Sequence, residues 1–433
     1  MFRTLAVSTR LAEESHMSSN ILPTSEVVEL EVSSTTSGGT RGVVESVFGR
    51  DYLRALKTLQ HQMLVEGKQV FDLSMVNPDL APPRAVLDRL LESVTKPLNH
   101  RYAVSRGVRR LREAFAAKYC SRFGITLNPE TEICVCLGSK DATYHAIKSL
   151  ITVGDAVVVS SPSYPAHVSS VTLAGGVVVP WACGVDPHEA AASLDRLLAT
   201  SRARVVLLNF PSNPAGVVVS EEWWMAIADV CWRYGAAIIN DFVYGEMCFS
   251  GQPAVSALKV RERGVRCVEV YSLSKAYNVP GWRVGALVGD TQTVQAVARW
   301  KSHSDYGLFL PLQYAASVAL TAPQELVRPT VMAYDRRIRV LATGLRTLGW
   351  EVQDPQAGAC LWARYPASIV PVEDGVTSAS VRVASELLAR TGVLVTPGVV
   401  FGEVWDGFVR FSAVVTEERM REVVAALSQF RDA

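Results

Sequence analysis

The stretch VVLLNFPSNPAGVVVSEEWWMAIADVCWRYGAAIIND, residues 205–241, decides the architecture. It opens on an apolar run at 205–209 and closes on another at 236–240. Between them, 221–234 repeats its apolar residues with a helical period. Neither run alternates polar with apolar residues, as a strand with one wet face does. Each reads as a strand covered on both sides. Strand, helix and strand in this order make a parallel crossover unit.

The same texture repeats on both sides of this stretch. Further strands are expected at 133–137, 156–160, 177–180, 267–271 and 286–288, and further helices at 108–119, 141–151 and 187–200. The expected fold class is α/β, a mainly parallel, doubly wound sheet with helices on both faces. After about residue 325 the pattern becomes a long helix at 329–348, ended by Gly349, then strand-like pieces at 359–364, 394–396 and 408–413 and a closing helix at 417–430. That predicts a smaller α+β domain. The expected division is a flexible N-terminal arm at 1–45, a first piece of the small domain at 46–83, a large domain at 84–325 and the rest of the small domain at 326–433.

Composition narrows the function. Of 433 residues, 49% are hydrophobic and 20% charged, enough apolar chain for a sizeable core. Lysine and arginine total 43 against 42 acids, so a net charge of +1 gives no general pull toward nucleic acid or an anionic membrane. No apolar run approaches the roughly 18 residues that span a bilayer. Eight cysteines, none in a CxxC pair, read as free thiols in a reducing cytoplasm, and no metal site is expected. The first 40 residues hold 14 Ser or Thr and five Glu, with no continuous apolar core, unlike a secretory or transit signal. Met17 is a second candidate start.

Ligands of open α/β sheets bind beyond the carboxyl ends of the strands. Five successive strand ends carry polar or aromatic groups: Gly138-Ser139-Lys140, Pro162-Ser163-Tyr164-Pro165, Pro211-Ser212-Asn213-Pro214, Asp241 with Tyr244, and Ser272-Leu273-Ser274-Lys275. Gly138 and Ser139 at a helix start form an anion cradle, served also by Ser272 and the cation Arg283. Asp241 at a buried strand end needs a positive partner. Lys275 in an apolar pocket is poised as a nucleophilic amine. Tyr164 offers a stacking face. Each feature alone is commonplace: a cap, a turn, a solvated lysine, an exposed arginine at Arg410. Together, phosphate cradle, carboxylate, lysine and ring match pyridoxal 5′-phosphate.

At this point the chain resembles a known family. SLSKAYNVPGWR at 272–283 resembles the cofactor-lysine signature of class I/II aminotransferases, the fold-type-I pyridoxal-phosphate enzymes. FPSNPAG at 210–216, NDFVYGEMCF at 240–249 and FVRFS at 408–412 follow in family order. NHRYAVSRGVRRLREA at 99–114, LGSKDATYHAIKSL at 137–150, KSHSDYGLFLPLQ at 301–313 and TPGVVFGE at 396–403 look most like the bacterial glutamate–pyruvate (alanine) aminotransferase subgroup. The resemblance runs from about residue 45 to the C-terminus.

It implies a seven-stranded, mainly parallel sheet and a cytoplasmic homodimer with shared active sites. It implies transamination between a small L-amino acid and a 2-oxo acid through a lysine Schiff base. Lys275 would bind the cofactor and carry the Cα proton. Asp241 would pair with the ring nitrogen, Asn213 and Tyr244 with the ring's phenolic oxygen, and Tyr164 would stack on the ring. Gly138, Ser139, Lys140, Ser272 and Arg283 would hold the phosphate, with Tyr102 reaching the neighbouring subunit's phosphate. Arg410 would fork onto the substrate α-carboxylate, and Asn213 and Val76 would lie at the substrate site.

The chain departs from the subgroup at Val76-Asn77-Pro78-Asp79, where Gly-Asn-Pro-Asp is usual, and at Phe242-Val243-Tyr244-Gly245-Glu246, where Leu-Ala-Tyr-Ala-Asp is usual. A valine at 76 is expected to crowd the substrate side. The alternative is therefore a non-transamination outcome with the same cofactor: β- or γ-elimination or replacement, decarboxylation or oxidation. A transcription regulator with an effector domain of this family is a third reading, opposed by the absence of a basic recognition helix in the first 45 residues.

Overall fold

The computed structural model describes residues 52–370 and 378–429. The arm expected at 1–45, the first residues of the piece expected at 46–83, and Met17 lie outside the described residues. After the helix Tyr52–Val65 and a two-residue strand β1 (Phe71–Asp72), the chain lays down β2 (Ile133–Cys136), β3 (Ala156–Ser160), β4 (Val177–Trp181), β5 (Val205–Leu208), β6 (Ala237–Asp241), β7 (Cys267–Ser272) and β8 (Gly285–Gly289). These last seven form one sheet in the order β2-β8-β7-β6-β5-β3-β4. β3, β4, β5, β6 and β7 run parallel, and β8 alone opposes its neighbours β7 and β2.

Burial on both faces explains the continuous apolar runs. On one face Cys134, Val157, Val159, Leu207 and Ile239 pack under the helices Ser139–Leu150, Pro165–Leu173 and Thr291–Ser304 through Ala142, Ala146, Ile147, Val171, Val294 and Val297. The opposite face, with Val158, Val206 and Ile238, joins the main core through Phe115, Leu194, Leu198, Trp223 and Ile227. The helix Glu221–Tyr234 occupies the expected span. Its Ser220 hydroxyl caps Trp223 N–H, and Gly235 ends it at φ 63°, a left-handed turn that glycine adopts freely.

Beyond residue 325 the helix Arg328–Thr347 packs on the closing helix Glu417–Ser428. A four-stranded sheet forms from β9 (Glu351–Val352), β10 (Cys360–Arg364), β12 (Thr396–Pro397) and β13 (Phe408–Ser412), while β11 (Val393–Leu394) pairs in parallel with β1. The single strand expected at 394–396 is thus two strands in two sheets. The chain switches sheets at Val395, and since Val393, Leu394, Val395 and Thr396 are all buried, no alternation marks the break. Seven cysteines are buried as expected, but Cys120 is exposed. No helix among the described residues is long and apolar enough to cross a membrane.

Candidate active site

All the expected strand-end residues gather at one edge of the large sheet, because β2, β3, β5, β6 and β7 end there and β8 begins there. Register makes this concrete: Gly285 pairs with both Cys136 and Ser272, bringing the Gly138 turn beside the Ser272 turn. A Cβ on Gly285 would lie 2.7 Å from the Tyr271 carbonyl and 3.2 Å from the Gly138 backbone.

Gly138 itself has φ 87°, and a Cβ there would fall 2.2 Å from Arg283 Nη2. Gly138 starts the helix Ser139–Leu150 with no side-chain cap. Arg283 reaches across, donating to the Pro280 carbonyl at 2.9 Å and the Leu137 carbonyl at 3.4 Å. Ser272 Oγ lies 2.9 Å from Ser274 Oγ. The result is a cradle of uncapped helix N–H groups, hydroxyls and a guanidinium, shaped for a phosphate. Lys140, by contrast, is exposed, and its side chain makes no hydrogen bond or ion pair among the described residues.

One acid sits in that helix's first turn. Asp141 accepts from Leu137 N–H at 2.8 Å and from Lys301 at 3.0 Å, and it pairs with His145. Burial opposes its charge, but these donors win and hold its carboxyl down at about 2. Lys301, fully buried, also meets Asp305 at 2.6 Å, so the acid's charge is offset beside the cradle.

Asp241 ends β6 and is buried. Its Oδ2 lies 2.9 Å from His167 Nε2, while Oδ1 is buried with no partner. His167, buried one turn after Tyr164, meets that ring edge-on at 5.5 Å. Burial, then the charge of Asp241, pushes the Tyr164 phenol up. Asn209 braces the next loop, donating to the Asp241 carbonyl at 2.7 Å and accepting from Asn213 N–H at 2.8 Å. Tyr244 is buried, and burial raises its phenol well above the usual range.

Lys275 follows the β7 turn. Burial lowers its ammonium to about 8, assisted by the charges of Arg410 and Arg283 and opposed by that of Asp241. Its Nζ donates to the Val76 carbonyl. The Val76 side chain packs in the main core, so it is the backbone of this residue that meets the lysine.

Arg410, on β13, is buried too. Nη1 donates to Asn213 Oδ1 at 3.1 Å, and Nη2 to the Ser74 carbonyl at 2.6 Å and Thr396 Oγ1 at 3.2 Å, over the Phe401 ring at 5.1 Å. Its Nε has no partner, and no carboxylate pairs with it among the described residues. A buried guanidinium held only by neutral acceptors is suited to receive an anionic ligand. Tyr102 stands apart: it is 83% exposed, its ring 4.5 Å from that of Tyr306.

Sequence reasoning missed His167, Asn209 and Lys301. His167 had a signal in Tyr164-Pro165-Ala166-His167, a helix-starting proline with the histidine one turn beyond the ring.

A sequence model of the family described as Aminotransferase class I and II matches residues 68–427. The glutamate-pyruvate aminotransferase AlaC of Escherichia coli is 36% identical over 365 residues, 83% of this chain and 86% of that protein. The LL-diaminopimelate aminotransferase of Dehalococcoides mccartyi is 35% identical over 370 residues, 84% of this chain and 92% of that protein. Among solved structures, substrate-bound BacF from Bacillus subtilis is similar at a TM-score of 0.80 and 28% identity, over 92% of this chain and 98% of that one.

Proposed function

The chain belongs to the class I and II aminotransferase family and has its fold-type-I architecture, and from that premise we propose that it moves an amino group between a small L-amino acid and a 2-oxo acid, using pyridoxal 5′-phosphate on Lys275. One observation carries the reading: a buried lysine, its ammonium lowered by burial, shares its site with a buried carboxylate whose Oδ1 lacks a partner. Those groups fit the cofactor, and so does the cradle at Gly138, which a Cβ would fill.

When bound, pyridoxal phosphate supplies a carbon that an amine can attack and a ring that withdraws electrons from the substrate Cα. The chain's residues do the rest. Gly138, Ser139, Ser272 and Arg283 hold the phosphate, with Lys140 at the rim. Asp241, with Oδ2 held by His167, would offer its free Oδ1 to the ring nitrogen. Tyr164 covers the ring. Tyr244 and the amide of Asn213, whose oxygen already faces Arg410, serve the phenolic oxygen. Arg410 binds the substrate carboxylate, and Asn213 and Val76 border the same pocket. Lys275 would take the proton from Cα and return it, a role that suits a buried amine lowered toward neutrality.

Residues 84–325 form the cofactor domain in this reading, and 46–83 with 326–433 the small domain. The enzyme acts in the cytoplasm as a homodimer with shared sites, and the exposed Tyr102–Tyr306 pair is available to the second subunit. The elimination, decarboxylation and oxidation alternatives are not favoured, since the relatives matched are named as aminotransferases. The test incubates cofactor-loaded enzyme with single amino acids. Without acceptor, each productive donor should yield about one equivalent of its 2-oxo acid per site; adding a 2-oxo acid should make turnover continuous. Ammonia release or decarboxylation without acceptor would overturn the reading.

A further inference from the structure

The Val76-Asn77-Pro78-Asp79 motif is not explained by cofactor binding. Its contacts lead to a helix outside the site. On the helix Arg328–Thr347, Thr330, Tyr334 and Arg337 are spaced by four and three residues, so they share one face, and all three are buried. Thr330 Oγ1 accepts from Asn278 Nδ2 at 2.9 Å, and Asn278 is three residues past Lys275. Arg337 forks onto Asp79 at 2.7 and 2.8 Å and donates a third bond to the Ala413 carbonyl at 3.1 Å, three residues past Arg410. Tyr334 lies against that guanidinium, 5.6 Å from its ring centre. One helix face thus touches the lysine loop, the end of β13 and the segment 74–79.

That segment is a strap anchored at both ends. At its start, Ser74 N–H and Oγ donate to Asp72 Oδ1 at 3.0 and 2.6 Å, and Lys57 pairs with the same carboxylate. At its far end stands the Arg337–Asp79 fork. Between the anchors the Ser74 carbonyl accepts from Arg410 and from Thr396, and the Val76 carbonyl accepts from Lys275. A single short backbone therefore offers a carbonyl to both Arg410 and Lys275.

We propose that Arg337 is a positioning residue for the substrate site: by fixing Asp79 it holds the strap 74–79 so that Arg410 and Lys275 keep their mutual placement when a carboxylate substrate arrives. The proposal rests on the reading of Arg410 and Lys275 given above. Arg410 has only neutral partners to set its direction, so its aim follows the Ser74 carbonyl, and the strap's aim follows its anchors. Bidentate geometry is the reason for an arginine here; a lysine keeps the charge but loses the planar fork.

The test uses cofactor-loaded enzyme and the unreactive carboxylate propionate, with its affinity measured by calorimetry beside KM and kcat. Arg337→Lys and Asp79→Asn should each weaken propionate about tenfold and raise KM for the amino acid similarly, less than the hundredfold that a displacement of about 1 Å can cost, with kcat falling less than KM rises. The double variant should be no worse than either single one. If Arg337→Lys does not fold, Asp79→Asn decides, because that carboxylate is partly exposed and tolerates the change. Affinities within threefold of the parent, or additive effects in the double variant, overturn the proposal. Arg410→Lys is the control: should it leave propionate binding unchanged, the reading of Arg410 fails instead.

Discussion

Replacing Lys275 by methionine in the cofactor-free protein isolates the energetics of the buried amine. Burial lowers its value from the ordinary 10.5 to about 8, which by the linkage of titration to stability disfavours the folded state by roughly 3 kcal/mol wherever both states are protonated. The sign follows from proton counts. Below pH 8 the folded and unfolded chains both hold the proton and the penalty is complete. Between 8 and 10.5 the unfolded chain binds more protons, so stability rises with pH until the penalty is gone.

Methionine removes the titration but leaves the Val76 carbonyl without its donor, a loss of about 1–3 kcal/mol that offsets much of the gain at neutral pH. The informative quantity is therefore the change in the gap between the two proteins, in which the many buried tyrosines and cysteines cancel. From pH 7 to pH 10 the parent should gain about 2–3 kcal/mol on the variant, by linkage between 10.5 and about 8. Urea unfolding of both proteins at the two pH values measures it. A gap that stays constant within about 0.5 kcal/mol would refute a depressed Lys275.

Asp241→Asn should fold and bind cofactor yet lose about 3 kcal/mol or more of transition-state stabilisation, read as a hundredfold or greater slowing of Cα deprotonation in single turnovers; near-normal turnover removes Asp241 from the ring nitrogen. Lys118 and Glu246 form an ion pair at 3.0 Å with both side chains almost wholly buried. Lys118→Met leaves that carboxylate with only the hydroxyls of Tyr271 and Tyr277 and should destabilise the fold by about 3–5 kcal/mol, most of it recovered by adding Glu246→Gln, as denaturant melts will show. Mixing inactive Tyr102→Ala and Lys275→Ala chains should restore activity in heterodimers, because one hybrid site has both residues intact; verified heterodimers without activity contradict a shared site.

What could be read in advance follows from where the chain is buried. β2, β3, β5 and β6 are short and almost wholly buried, so each announces itself as an apolar run, and the polar residues at its end stand out against it. Strand ends differed by a residue at several places, and Asp241 proved to be the last residue of β6 rather than the first beyond it. The partners of these groups were not legible. His167 lies 74 positions from Asp241 and Arg337 lies 258 from Asp79, and no local pattern links them. Glu269, in the middle of apolar β7, reads as a break in pattern. In the fold its carboxylate accepts from Asn240, Ala257 N–H, Ser256 and Tyr119, and burial still pushes it up to about 7.

The claim on which everything turns is that Lys275 carries the cofactor. Borohydride reduction of the cofactor-loaded enzyme, followed by peptide mapping, tests it directly. One cofactor mass per chain should appear, on the peptide containing Lys275, and should disappear when a productive amino acid is added before the reductant. Label on any other lysine, or bound cofactor that borohydride leaves unattached, would contradict it.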